Sequence, residues 1–108
     1  MPRSVNLGEL EHITLLAILR LPDSAYGVTI RNEIRRCTDR RVSAGALYTI
    51  LTRLEGKGLV RSSLGDPTPE RGGRPKRYYR VTADGVSAVR STQRNLRNLM
   101  QGLTLSER

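Results

Sequence analysis

The stretch SAGALYTILTRLEGKGLV, Ser43 to Val60, decides the fold of this chain. Leu47, Ile50, Leu51 and Leu54 fall at i, i+3, i+4 and i+7, which gathers them on one face of an α-helix and leaves Ala44, Tyr48, Thr49, Thr52 and Arg53 outside. Ser43 is placed as an N-cap, because its hydroxyl oxygen can accept one of the backbone N–H groups that a first helical turn leaves unpaired. Gly56-Lys57-Gly58 supplies a helix stop and a cation near the negative pole. The outward face is short, rich in hydroxyls and charged only at Arg53, a composition suited to contact with base edges. Taken by itself, the pattern fits a core-packed amphipathic helix equally well.

The residues after this helix separate the two readings. Leu59 to Leu64, then a Gly/Pro/Arg loop from Gly65 to Pro75, then Lys76 to Thr82 read as two strands joined by a long basic hairpin tip. A helix followed by a hairpin with a basic tip is the order of a winged helix. Alternation in the second strand puts Arg77, Tyr79 and Val81 on one face and Lys76, Tyr78 and Arg80 on the other, with Tyr79 and Val81 as core. Between Arg71 and Arg80 five of ten residues are basic (Arg71, Arg74, Lys76, Arg77 and Arg80) and none is acidic. That density suits phosphate contact better than a mere turn, although a solvated loop is the plain alternative. Gly73-Arg74-Pro75 also resembles the core of the minor-groove-reading AT-hook.

Upstream, Asn6 followed by Glu9 has capping-box spacing ahead of an apolar run from Leu10 to Leu21, which predicts a first helix buried on more than one side. Pro22, Asp23 and Ser24 break it and cap a second helix from Ala25 to about Thr38. There Tyr26, Ile30, Ile34 and Cys37 form the apolar stripe, while Arg31, Arg35 and Arg36 point away. The connector Asp39 to Val42, with Arg40 and Arg41 at its end, makes helices two and three a helix-turn-helix.

Downstream, Thr82 caps a fourth helix with Asp84 in its first turn. Val86, Val89, Gln93, Leu96, Met100 and Leu103 recur at spacings of three and four, an a/d seam whose one polar member, Gln93, is a device for fixing register. Packing of this helix back on its own domain is the competing reading. Leu105 to Arg108 reads as a frayed tail. The expected fold is mainly α with a small β-hairpin. Residues 1–82 form a winged helix-turn-helix DNA-binding domain, and residues 83–108 a C-terminal dimerisation helix and tail.

Composition narrows the function. The chain has 108 residues, with 19 Lys and Arg against 10 Asp and Glu and a net charge of +9, so a polyanionic partner is expected. Phe and Trp are absent, leaving a small aliphatic core that would gain from extension across a homodimer interface. One His and one Cys, with no acid pair at telling spacing, offer neither a nucleophile with its base nor a metal cluster, so an enzyme, a cofactor and a metal are not expected. His12 reads as a surface or interface residue. Cys37 reads as a small packed side chain in a reducing, cytoplasmic setting. No signal peptide or membrane-spanning run is legible.

Four motifs in order resemble the PadR family of transcriptional regulators: LGELEHITLLAILRL, AYGVTIRNEI, GALYTILTRLEGKGLV and GRPKRYYRVTADG. The resemblance covers Leu7 to about Val89. It implies a winged helix-turn-helix, a dimer built by the C-terminal helix with help from helix one, and repression at a double-stranded, inverted-repeat operator, with relief by a small-molecule effector as an option. It places Ser43, Tyr48 and Thr49 on the exposed N-terminal half of the recognition helix, and Arg74, Lys76 and Arg77 on the basic wing. Many members read Leu-Tyr-Pro where this chain has Leu47, Tyr48 and Thr49, so a different base pattern is implied at Thr49. The C-terminal part is one helix rather than a multi-helix extension. An effector would lie between helix one and the partner's last helix, with His12 and Met100 as lining. The alternative is a winged helix that binds RNA or a protein; for RNA, the aromatics able to stack on bases are Tyr48 and Tyr78 at most.

Overall fold

Six elements follow the expected order in a computed structural model, which describes residues 7–65 and 75–106. They are α1 (Glu9–Leu19), α2 (Gly27–Cys37), α3 (Ala44–Gly56), β1 (Val60–Leu64), β2 (Arg77–Val81) and α4 (Ala83–Met100). The strands pair antiparallel with Val60 opposite Val81 and Leu64 opposite Arg77, and Gly65 N–H donates to the Lys76 carbonyl beyond them. Four helices and a two-stranded hairpin make the winged helix-turn-helix fold. The expected loop tip, with Arg71, Gly73 and Arg74, lies outside the described residues.

One aliphatic core holds these elements together. Leu47, Ile50, Leu51 and Leu54 of α3 are all buried, with Leu15 and Ile18 of α1, Ile30 and Ile34 of α2, Leu59, Val60 and Tyr79. The Ser43 hydroxyl accepts from Ala46 N–H at 3.1 Å. At the other end Gly58 takes φ 75°, a left-handed conformation in which a side chain would be strained. Thr82 caps α4 by accepting from Gly85 N–H at 3.1 Å, and its own hydroxyl donates to the Gly58 carbonyl at 2.7 Å, tying α4 to the end of α3.

Several expectations shift. Helix one is capped at Gly8, whose N–H donates to Glu11 Oε1 at 2.9 Å, while Glu9 pairs with Arg40; Asn6 lies outside the described residues. Helix two starts at Gly27 rather than Ala25, because Tyr26 is its N-cap and Ala25 is taken up by β2, accepting from Tyr79 N–H at 2.9 Å. Cys37 is exposed rather than packed: α2 ends there, and its Sγ lies 3.6 Å from a Glu33 carboxylate oxygen. The seam of α4 divides in two. Gly85, Ala88 and Val89 are buried in the chain's own core and Val86 is half-buried, whereas Gln93, Leu96, Leu99 and Met100 face outward. Leu103 falls past the end of the helix, since Gln101 is extended and Gly102 turns left-handed.

Candidate nucleic-acid interface

The N-terminal half of α3 presents one uninterrupted exposed surface: Ser43, Ala44, Gly45, Ala46, Tyr48 and Thr49 are all exposed, while Leu47 turns inward. Two hydroxyls on this surface are oriented by the helix itself. Ser43 Oγ accepts from Ala46 N–H, which leaves its own proton free to be donated outward. Thr49 Oγ1 donates to the Gly45 carbonyl at 3.1 Å, which leaves lone pairs and the γ-methyl facing out. One position is thus set to donate and the other to accept or to meet an apolar group. Tyr48 stands out from the helix with 67% of its surface exposed.

A groove of about 330 Å³ runs beside this surface, where the first residues of α2 (Gly27, Val28) and of α3 (Ala44) meet Tyr48, Lys76 and Arg77. Two helix N-termini therefore open on the same hollow, and each carries partial positive charge on unpaired N–H groups. That arrangement favours an anion. Lys76 closes one side with its Nζ 4.5 Å from the centroid of the Tyr26 ring, a cation–π contact. The Tyr26 ring meets Tyr78 edge to face at 5.6 Å. Tyr78 is half-buried in this stack, so of the two candidate aromatics only Tyr48 stands clear. Arg77 is exposed but turned onto the hairpin, its Nη1 donating to Ser62 Oγ at 3.0 Å, and Ser62 donates in turn to Glu55 at 2.7 Å. Arg53 is exposed on α3, one turn beyond Thr49 and near enough to Glu11 for its charge to act on that carboxylate.

Sequence reasoning does not assign Tyr26, Val28 or Arg31 to this surface. Tyr26 reads as a core position only if the helix starts two residues early. As the N-cap, with its N–H donating to Thr29 Oγ1 at 3.0 Å, its ring instead lies along the groove. Arg31 does not point freely away: it is half-buried, and its Nε donates to the Val42 carbonyl at 2.9 Å.

A second hollow of about 270 Å³ lies between α1 and α2, lined by Ile13, Leu16, Ala17 and Ile34 with Arg20 and Glu33 at its edge. Two guanidiniums, of Arg36 and Arg20, hydrogen-bond the Glu33 carboxylate and hold it down to about 2. His12 does not line this hollow; its Nε2 is buried with no hydrogen-bond partner among the described residues, and burial pushes the imidazole below its ordinary pKa. Among the described residues no cluster of His, Cys, Asp or Glu could hold a metal, and no helix is long and apolar enough to cross a membrane.

Comparison with known proteins places this surface in a family. The sequence profile of the transcriptional regulator PadR-like family matches residues 15–91. The chain belongs to that family. PadR-like proteins are DNA-binding transcriptional regulators rather than enzymes, and this chain is one of them. A PadR family transcriptional regulator from Eggerthella lenta is similar at 27% identity and TM-score 0.67, over 87% of this chain and 81% of that one. A transcriptional regulator from Clostridium thermocellum matches at 24% identity and TM-score 0.67, covering 85% and 86% of the two chains. A PadR family regulator from Clostridium difficile gives 24% and 0.65, covering 83% and 93%. At 24% these last two show a shared fold alone. Among curated proteins nothing matches.

Proposed function

We propose that this PadR-like chain is a dimeric repressor that reads an inverted-repeat duplex operator with α3 and anchors itself to phosphates with the wing. The observation that carries the reading is the exposed, hydroxyl-bearing first half of α3 beside a hollow where two helix N-termini and Lys76 converge. In this arrangement Ser43, Ala44, Tyr48, Thr49 and Arg53 face base edges and backbone in the major groove. Lys76 and Arg77 supply charge at the base of the wing, and Arg71 and Arg74, outside the described residues, are assigned the same anchoring role from the sequence. Residues 1–82 act as the DNA-binding unit and residues 83–108 as the dimerisation element. Dimerisation is supported by the outward apolar side chains of Leu96, Leu99 and Met100, which have nothing to cover them within the described chain. Gln93 on the same outward face and Leu103 just beyond the helix extend the proposed seam, with half-buried Val86 at its edge, while Val89 belongs to the chain's own core. An effector that relieves repression would be seated where α1 meets the partner's α4.

The RNA alternative is less well supported, because Tyr78 is engaged with Tyr26 and leaves Tyr48 as the single free stacking surface. The deciding experiment compares Thr49→Ala and Lys76→Ala on specific and non-specific duplexes across a salt series, with an RNA control. The Thr49 change is expected to cost about 1 to 3 kcal/mol per half-site contact at particular base positions and to spare non-specific affinity. Loss of the Lys76 charge is expected to weaken all duplexes alike and to flatten the salt slope by about 0.9 for each phosphate no longer neutralised. A Thr49 change that lowers both affinities in parallel, together with a Lys76 change that alters base preference and keeps the salt slope, reverses the assignment. Equal binding of the RNA control removes the duplex reading.

A further inference from the structure

The C-terminal half of α2 and the connector before α3 enclose a polar cleft of about 240 Å³, lined by Arg31, Asn32, Arg35, Arg41 and Val42. Three arginines line it, and no Asp or Glu is among its lining residues within the described chain. Elsewhere the arginines of this region are paired: Arg20 and Arg36 with Glu33, Arg40 with Glu9 and Arg80 with Asp23. Arg31, Arg35 and Arg41 take part in none of the ion pairs among the described residues. Uncompensated like charges repel one another, and a cleft that gathers three of them is stabilised by an anion.

The geometry is pre-set for one. The bond from Arg31 Nε to the Val42 carbonyl holds that guanidinium beside the connector, and its terminal N–H groups make no hydrogen bond among the described residues. Arg35 is held loosely, Nη2 lying 3.4 Å from Asn32 Oδ1. Val42 directly precedes the Ser43 cap, so the cleft adjoins the positive end of α3. Arg31 also lines the groove that contains Tyr48, Lys76 and Arg77, making one basic track from the wing, past the reading face, to the connector.

We infer that Arg31, Arg35 and Arg41, with Asn32, form a phosphate-binding cleft that holds a backbone phosphate of the operator beyond the bases α3 faces. This cleft rests on the DNA-reading arrangement proposed for α3 and the wing, and adds a third anchoring point that joins their groove through Arg31. Arg35 and Arg41 are exposed, and among the described residues neither side chain donates to the backbone, so their replacement should leave the fold intact.

The test uses the full chain with Arg35→Gln and Arg41→Gln combined. On an operator duplex the variant is expected to show a salt slope shallower by about 0.9 for each phosphate released, about 1.8 for a dimer, with base preference unchanged. Phosphate-ethylation interference is expected to disappear at one or more positions per half-site. An unchanged slope together with an unchanged interference pattern overturns the inference while leaving the DNA reading in place. Failure of the wild type to bind any duplex is the different result that removes the DNA reading and this inference with it. Inorganic phosphate, titrated against the arginine side-chain NMR signals, covers the remaining source. If it binds the wild type below millimolar concentration and the variant not at all, while the DNA slope stays the same, the cleft serves a free phosphorylated ligand and the backbone assignment is wrong.

Discussion

Lys57 Nζ lies 2.8 Å from Glu11 Oε2 and 3.1 Å from Glu11 Oε1, joining the C-cap of α3 to the first turn of α1. Burial by itself would raise the pKa of this carboxylate. Hydrogen bonds from Lys57 and from Gly8 N–H, with the charges of Lys57 and Arg53, more than offset that and hold it below the ordinary 4.5. Replacing Lys57 with Met strands a buried carboxylate. Because Lys57 is itself about one-third exposed, the expected loss is moderate, about 1 to 3 kcal/mol in urea unfolding at neutral pH. Adding Glu11→Gln, which can still accept from Gly8 N–H, should recover part of it. A carboxylate with a lowered folded pKa contributes stability above its unfolded pKa and loses it as pH falls through the folded value. The gap between wild type and Lys57→Met should therefore narrow as pH falls below the ordinary carboxylate value of 4.5.

His12 acts in a higher window. Its Nε2 is buried with no hydrogen-bond partner among the described residues, and burial lowers its pKa from 6.5, so the fold favours the neutral ring. Stability from a neutral buried histidine is complete above the unfolded pKa and is lost as pH falls from there through the lowered folded value. Unfolding free energy should thus begin to drop below about pH 6.5, and His12→Leu should flatten that segment while leaving the acid limb of Glu11 in place. A wild-type profile that is flat from pH 7 to 5 contradicts this.

Two helical glycines should respond with opposite signs. A Cβ at Gly85 would collide with the Leu59 carbonyl oxygen and with Val81, whereas one at Gly45 meets nothing within 4 Å. Gly85→Ala must push α4 off the hairpin and is expected to destabilise by about 1 to 3 kcal/mol. Gly45→Ala should stabilise by about 0.5 to 1 kcal/mol through helix propensity. Thermal melts of the two variants decide it, and equal shifts for both would refute the close approach at Gly85.

The order of elements is legible in the sequence because each boundary carries its own chemistry: the Ser43 and Thr82 caps, the Gly58 stop and the period of Leu47, Ile50, Leu51 and Leu54 all act within a few residues of themselves. Tertiary partners are not legible. Nothing local distinguishes Lys57, matched to a carboxylate 46 residues away, from Arg35, which forms no ion pair among the described residues and hydrogen-bonds its neighbour Asn32. Ala25 illustrates the same limit, since its pairing with Tyr79 removes it from a helix that its own propensity favours. The heptad along α4 is plain as a period, yet a period does not say where one burial partner ends and another begins. In the fold the division falls between Val89 and Leu96.

That division makes a pair of substitutions informative. Val89 is buried in the chain's own core, while half of Leu96 is exposed. Val89→Glu should unfold the protein, because a buried unpaired carboxylate costs several kcal/mol. Leu96→Glu should leave a folded monomer with weakened operator binding and a Tm that no longer depends on protein concentration. Gln93→Leu should strengthen the dimer. Sedimentation of the wild type as a monomer at micromolar concentration would remove the basis for the Leu96 and Gln93 expectations and leave that for Val89 standing.

Tyr48 separates stability from recognition most cleanly. A tyrosine that packed on its own domain would contribute to folding, but 67% of this one is exposed, and it stands beside the hollow formed by Ala44, Lys76 and Arg77. Tyr48→Ala is therefore expected to change unfolding free energy by less than about 0.5 kcal/mol, as for other surface positions. The same change should weaken duplex binding, since the ring and its hydroxyl project from the exposed half of α3. Tyr48→Phe assigns the loss. If the hydroxyl donates to a phosphate, Phe should bind as poorly as Ala and to every sequence alike. If the ring meets a thymine methyl or a sugar, Phe should bind like the wild type. A Tyr48→Ala variant that melts several degrees lower yet binds its operator with unchanged affinity would make Tyr48 a packing rather than a reading residue and leave Ser43 and Thr49 as the reading side chains on that half of the helix.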